Sequence, residues 1–501
     1  MARPRKALAD RLERVAAEAV DGVVRSSRIS DGDRRMLVAE GWLSPICRGW
    51  YLLHTPGGRD GDSTVWFGSI YTFVAQYLSS RFGEGWCMSA AHSLAVHTGD
   101  TRVPRQLTAI TGSGGAMTLE LPHDTSLLMY PDPRRLPTEV DVVEGLRLMN
   151  VSEALSRVSL SWFRSNDTDA AVALRTVRAS EVVRAALARG YLDGLGRLIG
   201  AWRTIGLQRE AEEATAALEL AGHSVAETNP FERAVPQVRS RPGSPHVGRI
   251  EEVWARMRDA VLEEWETHTL HVGPTSYLAD LDVQAERDAW HSLSIEGYKV
   301  TPELIKAVRE GAEALEDASQ RDTLAAVGYM RAHKAVRETV SGVLAGEPLA
   351  NLRSAAVPLW YRRMFSPHVD AGLVKAHQLI GFRQHPVYIK GSRHVPPRYA
   401  AVPDAIDALF ELLAGEEEAS VRAVLGHFVF TWVHPYADGN GRLGRFLMNV
   451  EFASGGIPWT VIRTENRSRY MQALELASVE GDISPFAAFV RAESEARQDV
   501  T

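Results

Sequence analysis

Thirteen residues of unbroken helical periodicity run into a histidine–proline pair and then into two glycines, and this sequence of events fixes the local fold more tightly than any other stretch. Val421, Val424, Leu425, Phe428 and Trp432 recur at i, i+3, i+4, i+7 and i+11, the pattern of a helix burying one face. The helix must stop at His434, because the ring of Pro435 disfavours helical geometry at the residue before it. Gly439-Asn440-Gly441 then supplies a turn whose glycines tolerate unusual backbone angles. A second helix opens near Arg442, with an apolar stripe of Leu443, Phe446, Leu447 and Val450.

A helix entered through such a loop presents free backbone N–H groups and the positive end of its dipole, an anion site suited to phosphates. Arg442 and Arg445, three apart, emerge on one side of its first turn. Cations are normally unfavourable at a helix N-terminus, so this pair points to a bound polyanion. Asp438 in the loop has the chemistry to share a Mg²⁺ with phosphates. His434 can serve as a general base near neutral pH. A lone histidine at a helix end is usually structural; the joint presence of His434, Asp438, the Gly-Asn-Gly turn and two arginines within twelve residues is what makes the segment functional.

These twelve residues, His434 to Arg445, resemble the signature of the Fic family, with Tyr436 where the family usually has Phe. The resemblance implies transfer of AMP from ATP to the hydroxyl of a Ser, Thr or Tyr in a protein substrate, the chain itself included. It implies His434 as the base, Asp438 as the Mg²⁺ ligand, Asn440, Gly441 and Arg442 on the α- and β-phosphates, and Arg445 on the γ-phosphate. Asn466-Arg467-Ser468-Arg469-Tyr470, Glu480-Gly481-Asp482 and Pro485-Phe486 resemble the closing helices of the domain, with Tyr470 flanking the adenine. Ser478-Val479-Glu480 departs from the family there, where an Asn usually precedes the Gly-Asp. Gly381 to Pro397, with Val387-Tyr388-Ile389, reads as a short β-hairpin and resembles the family's flap, which implies registering a target by strand addition. Ser292-Leu293-Ser294-Ile295-Glu296-Gly297 resembles the family's inhibitory motif, on a helix near 285–297. Ser292 and Glu296 would share one helical face, and Glu296 would pair with Arg445 where a γ-phosphate must sit. A homodimer is a partner state that this inhibitory class suggests.

Length and balance set the rest. The 501 residues predict two to four domains, with hydrophobic residues at 45% and charged residues at 24%, ordinary for a globular protein. The net charge of −7 confines any nucleic-acid contact to a local patch. Two cysteines, Cys47 and Cys87, lie forty positions apart and form no metal-binding pair; they read as thiols in a reducing cytosol. Without a secretory signal or an apolar run of membrane-spanning length, the expected location is cytoplasmic, with no membrane partner.

The first half carries a different pattern. Residues 7–24 and 33–40 read as short helices, the second capped by Ser30, and Trp42 to Leu53 as two strands around a turn. Residues 1–55 thus suggest a small winged helix, and Arg34, Arg35 and Arg48 are its candidate DNA phosphate contacts. A helix over 64–80, a strand at Gln106–Ile110 and an Ala/Leu/Arg-rich helical stretch from Ser152 to Leu220 follow. Thr111 to Gly115 is a plain glycine-rich turn, since it lacks the Lys-Ser/Thr of a phosphate loop. Leu37–Leu53, Ala90–Gly99 and Leu146–Leu155 together resemble the AbiEi-type antitoxins, which implies a winged helix followed by an α+β domain. The expected plan is a 1–55 winged helix, a 56–223 α+β domain, a Pro-rich linker over 224–250, and a mainly α-helical Fic-like domain over 251–501. Two other readings of the whole chain stay open: removal of AMP or transfer of another phosphate group on the same scaffold, or a non-enzymatic, nucleotide-sensing DNA-binding regulator.

Overall fold

The computed structural model describes residues 3–56, 64–236, 244–268, 270–310, 319–349 and 351–496. Residues 237–243, part of the expected linker, lie outside the described residues. The chain divides into two compact units. One comprises residues 1–249 with 388–395, the other residues 250–387 with 396–501.

The first unit begins with the Arg3–Ala17 helix, strand β1 (Val23–Arg25), the Asp31–Ala39 helix, β2 (Leu43–Cys47) and β3 (Trp50–Leu53). Ser30 Oγ accepts from Asp33 N at 3.0 Å, which starts the second helix. β3 lies between β1 and β2, antiparallel to both, and a register shift between Pro45 and Cys47 kinks the hairpin. Val15, Val24, Leu37 and Leu43 form the small core beneath it. Asp33 ties the two helices through Arg11 at 2.8 Å and Arg14 at 2.9 Å.

The Thr64–Phe82 helix leads to a four-stranded sheet of order β4-β5-β7-β6. Its strands are β4 (Trp86–Met88), β5 (Gln106–Thr111), β6 (Met117–Leu121) and β7 (Thr125–Pro131). β5 and β7 are parallel and the outer pairs antiparallel. The Gly112–Gly115 segment is the connection from β5 to β6. A two-stranded ribbon, β8 (Asp141–Val143) with β9 (Leu146–Leu148), precedes six helices between Val151 and Leu220.

Part of the expected linker is packed. A Cβ at Gly196 would lie 2.0 Å from Ala226 O, and one at Gly200 would lie 2.1 Å from Thr228 O. These two helical glycines let the 226–228 backbone lie on the Leu195–Thr204 helix, and Phe231 and Val235 are buried beyond it. A buried ion cluster closes this end of the unit: Asp169 bonds Arg249, and Asp100 bonds Arg102 Nη2 at 2.7 Å. Burial pushes the Asp169 carboxyl up to about 6 against the pull of Arg249.

The second unit is helical. Helices Pro274–Ile295, Gln320–Leu344 and Val357–Asp370 surround a central pair, Ala419–Val433 and Asn440–Ser454. Nearly every side chain of that pair is buried, including Phe428, Leu443, Phe446 and Leu447. This exceeds the one-faced burial read from the periodicity and marks a core helix packed on all sides. Gly328 lets two helices approach closely: a Cβ there would lie 1.9 Å from Met364 O.

The β-hairpin expected over 381–397 does not form. Its residues are irregular apart from one antiparallel bridge, His394 to Arg102. Pro386, Pro396 and Pro397 withhold the N–H donors that a ladder needs. Main-chain groups near its end pair elsewhere: Val395 N donates to Thr101 O, and Arg393 O accepts from Val103 N, both at 3.0 Å. The Tyr388 ring lies on Gly68, where a Cβ would come within 2.0 Å of it.

Candidate active site

The Ala419–Val433 helix ends on His434, whose φ of 54° and ψ of 59° are left-handed. A non-glycine residue in that conformation costs about 1–3 kcal/mol and persists only where its surroundings enforce it. The imidazole is oriented by Nδ1, 3.1 Å from Thr431 O. A carbonyl can only accept, so Nδ1 carries the proton and Nε2 keeps its lone pair. Burial holds the His434 pKa below the usual histidine range; the Thr431 bond, Glu296 and Asp438 oppose that shift and Arg383 adds to it. The ring is therefore neutral at pH 7, with Nε2 able to take a proton.

The loop is held from inside. Asn440 Oδ1 accepts from Tyr436 N at 2.9 Å, and its Nδ2 donates to Tyr436 O at 2.8 Å. The Tyr436 ring stacks on Tyr361 at 4.0 Å. Gly439, at φ 85°, opens the next helix against Phe365, where a Cβ would lie 3.0 Å from the ring. Asp438 is exposed; its Oδ1 accepts from Gly439 N at 2.6 Å and its Oδ2 lies 3.3 Å from Arg442 Nη2.

The two arginines differ. Arg442 is 1% exposed, and its Nε and Nη2 have no hydrogen-bond partner among the described residues. Its guanidinium lies over the rings of Tyr298 at 5.3 Å and Phe365 at 5.4 Å. Arg445 is fully engaged. Its Nε donates to Ser292 Oγ at 2.9 Å, and its Nη2 donates to Ser292 O at 3.1 Å and Glu296 Oε1 at 2.9 Å. Glu296 caps the Pro274–Ile295 helix, and Gly297 follows at φ 85° to turn the chain away. A Cβ on Gly441 would lie 2.4 Å from Glu296 Oε1. The carboxylate therefore rests directly on the first turn of the Asn440–Ser454 helix, in the place where an anion is favoured.

Tyr470 is 2% exposed. Its hydroxyl lies 2.8 Å from His427 Nε2 and 3.5 Å from Arg445 Nη1, so the ring braces Arg445 from within the core. Burial drives the His427 pKa down to about 3, which leaves that ring neutral. His434, Asp438, Asn440, Gly441, Arg442, Arg445, Tyr470, Ser292, Glu296 and Gly297 thus gather around one loop and one helix end. Arg34, Arg35 and Arg48 belong to the other unit. Arg35 and Arg48 are exposed, while Arg34 is bonded to Asp31 at 2.7 Å and Tyr51 at 3.1 Å.

Sequence reasoning passed over three groups: Arg383, which binds the His434 carbonyl, and Tyr298 and Phe365, which face Arg442. Tyr298 sits two residues beyond Glu296, the one positional hint among them.

Residues 353–451 match the family model described as the Fic/DOC family. The protein adenylyltransferase Fic of Drosophila virilis is 30% identical over 205 residues, 40% of this chain and 39% of that protein. That of Drosophila ananassae is 37% identical over 113 residues, 22% of each. The chain spans about two fifths of the first of these relatives and about a fifth of the second. Among solved structures, Fic-1 from C. elegans superposes with a TM-score of 0.38 at 19% identity, over 64% of this chain and 85% of that one. The matched segment contains the whole loop from His434 to Arg445, and with it the chain carries a Fic domain.

Proposed function

We propose that the chain is a protein adenylyltransferase that moves AMP from ATP to a Ser, Thr or Tyr hydroxyl of a protein, and that Glu296 restrains it. The observation that carries this reading is the carboxylate of Glu296 on the N-terminal turn at Gly441, bonded to Arg445 at 2.9 Å: the site is already holding an anion. In the reaction, His434 Nε2 takes the proton of the target hydroxyl. Its oxygen forms a bond to the α-phosphorus, and the bond from that phosphorus to the bridging oxygen of the β-phosphate breaks. Pyrophosphate leaves with the electron pair, so the protein gains AMP and ATP becomes pyrophosphate. Arg442, whose Nε has no hydrogen-bond partner among the described residues and whose Nη2 meets Asp438 at 3.3 Å, is assigned to the α- and β-phosphates with the N-terminal amides of Asn440 and Gly441, and Arg445 to the γ-phosphate. Asn440's own side-chain amide serves the loop.

Asp438 suits a Mg²⁺ ion: one exposed carboxylate beside a phosphate site is the donor set that this ion accepts, since it keeps waters and takes phosphate oxygens. When bound, the ion would neutralise charge on the polyphosphate. Tyr470, assigned to the adenine by resemblance, is buried, with its hydroxyl committed to His427 and the Arg445 side and its ring packed near Phe486 and Phe489.

The N-terminal module is read as a DNA-contacting regulatory domain of the winged-helix, AbiEi-like kind, supported by exposed Arg35 and Arg48 beside a three-stranded sheet. Band-shift titration against its own promoter region tests this; an affinity independent of salt rejects phosphate contacts.

The main test incubates the chain, Glu296→Gly and Glu296→Gly/His434→Ala with α-labelled ATP and Mg²⁺. Label on protein, raised in the first variant and lost in the second, with the mass of one AMP, is the expected result. Transfer of a single phosphate instead, or label indifferent to His434, overturns the reading.

A further inference from the structure

The His434 ring has a plain source of orientation in Thr431, but its left-handed backbone needs one as well. A single buried side chain supplies it. Arg383 is 5% exposed, and its Nε donates to His434 O at 2.8 Å. Its Nη2 donates to Pro397 O and, at 3.4 Å, to Val433 O, while Nη1 donates to His385 O at 3.2 Å. The Arg383 main-chain N–H donates to Pro435 O at 2.9 Å. Three consecutive carbonyls around the helix end, Val433, His434 and Pro435, therefore point at one residue.

The carbonyls that end a helix lack intrahelical partners and carry the negative end of its dipole, so a guanidinium is the fitting counterpart. The fork is rigid and planar, so it fixes the directions of the carbonyls it binds rather than merely neutralising them. Because it reaches Pro397 O too, it clasps both ends of the 383–397 segment to the histidine.

We propose that Arg383 is a positioning residue for AMP transfer, holding the His434 backbone in its left-handed turn so that Nε2 keeps a fixed place in the site. The inference rests on the adenylyltransferase reading above. The other groups that bear on the imidazole are the Thr431 carbonyl, which fixes its tautomer, and the carboxylates of Glu296 and Asp438. None of these three groups bonds the His434 main chain; its N–H donates to Phe430 O at 3.0 Å as the helix ends, and the side chain that holds its carbonyl is Arg383.

The test compares Arg383→Ala and Arg383→Lys in the Glu296→Gly background, on the full chain, with α-labelled ATP. A misplacement of about 1 Å costs on the order of a hundredfold in rate, so kcat should fall about that much in Arg383→Ala while KM for ATP stays within about twofold. Lysine, which lacks the planar fork, should recover only part of the loss, and added guanidinium should raise the rate of Arg383→Ala alone. A kcat within about threefold of the parent, or a fall matched by lost folded protein and untouched by guanidinium, refutes the role. A second readout needs no turnover: nitrogen NMR of the His434 ring, identified by its absence in His434→Ala. The parent should show one Nδ1-protonated form; in Arg383→Ala the released backbone should carry the ring off the Thr431 carbonyl and give a mixture of tautomers, and an unchanged spectrum refutes the positioning role. If the Glu296→Gly parent transfers no AMP, the adenylyltransferase reading fails by itself, and the ring spectrum still decides whether Arg383 orients His434.

Discussion

Replacing Glu296 by glycine gives the sharpest quantitative test of the site. Glu296 Oε1 bonds Arg445 Nη2 at 2.9 Å, with the arginine side chain 4% exposed and the carboxylate 32% exposed. A hydrogen bond to a charged partner contributes about 1.5–3 kcal/mol net, and the lower part of that range applies to a carboxylate a third in water. A γ-phosphate aimed at Arg445 must displace this bond, so the wild type should bind ATP more weakly than Glu296→Gly. At 1.4 kcal/mol per factor of ten, the gap is roughly 10- to 30-fold in Kd. Arg445 stays oriented in the variant, because Ser292 Oγ and Ser292 O still accept from it. The assay is calorimetric titration with an ATP analogue carrying a methylene between the α- and β-phosphates, and with ADP. ADP has no γ-phosphate, so its affinity should rise far less. Glu296→Gln, which keeps the size without the charge, should fall between. An ATP-analogue affinity unchanged by the substitution, or an ADP affinity raised by the same factor, would refute the displacement.

Gly441→Ala should weaken nucleotide binding rather than strengthen it. The new Cβ would stand 2.4 Å from where Glu296 Oε1 now sits, so it obstructs any anion at that turn. In the Glu296→Gly background we expect the ATP-analogue affinity to drop at least about tenfold, as for a lost charge-assisted contact, and retention of affinity would contradict the anion site. His427 makes stability pH-dependent: its folded pKa is depressed to about 3 by burial, so the unfolded chain binds a proton that the folded chain does not. Stability is fully present above the ordinary histidine value and is lost as pH falls toward 3, at up to about 1.4 kcal/mol per pH unit. Urea unfolding of wild type and His427→Gln between about pH 7 and 5 should show a shallower acid dependence in the variant, and equal slopes would exclude the effect.

The loop from His434 to Arg445 was legible because its chemistry is written in side chains at short spacing. Periodicity announced both helices, Pro435 the break, and the glycines the turn. Ser30 was legible for the same reason, a side chain capping an amide three residues on. Arg383 was not, because its partners are main-chain carbonyls, which leave no trace in residue types. Tyr298 and Phe365 were missed because stacking on Arg442 depends on how a connecting segment and a separate helix meet it. The 381–397 hairpin failed on its prolines and on the pairing of Arg393 O and Val395 N with 101–103. The 224–236 stretch looked loose by composition, but Gly196 and Gly200 on a distant helix made a bed for it.

Residues 388–395 belong to the compact unit built by the first 249 residues, although the chain on either side of them belongs to the other. A gene cut at position 250 would therefore not yield two self-sufficient pieces. The leading fragment would lack the segment that pairs with Thr101 and Val103 and covers Gly68. The trailing one would carry Tyr388 and Val395 with nothing of their own unit to lie against. Recombination can shuffle domains joined end to end as cassettes, but it cannot trade these halves independently. Any exchange of the N-terminal half has to bring with it a matching eight-residue insert between positions 387 and 396, so the two halves are expected to have diverged together.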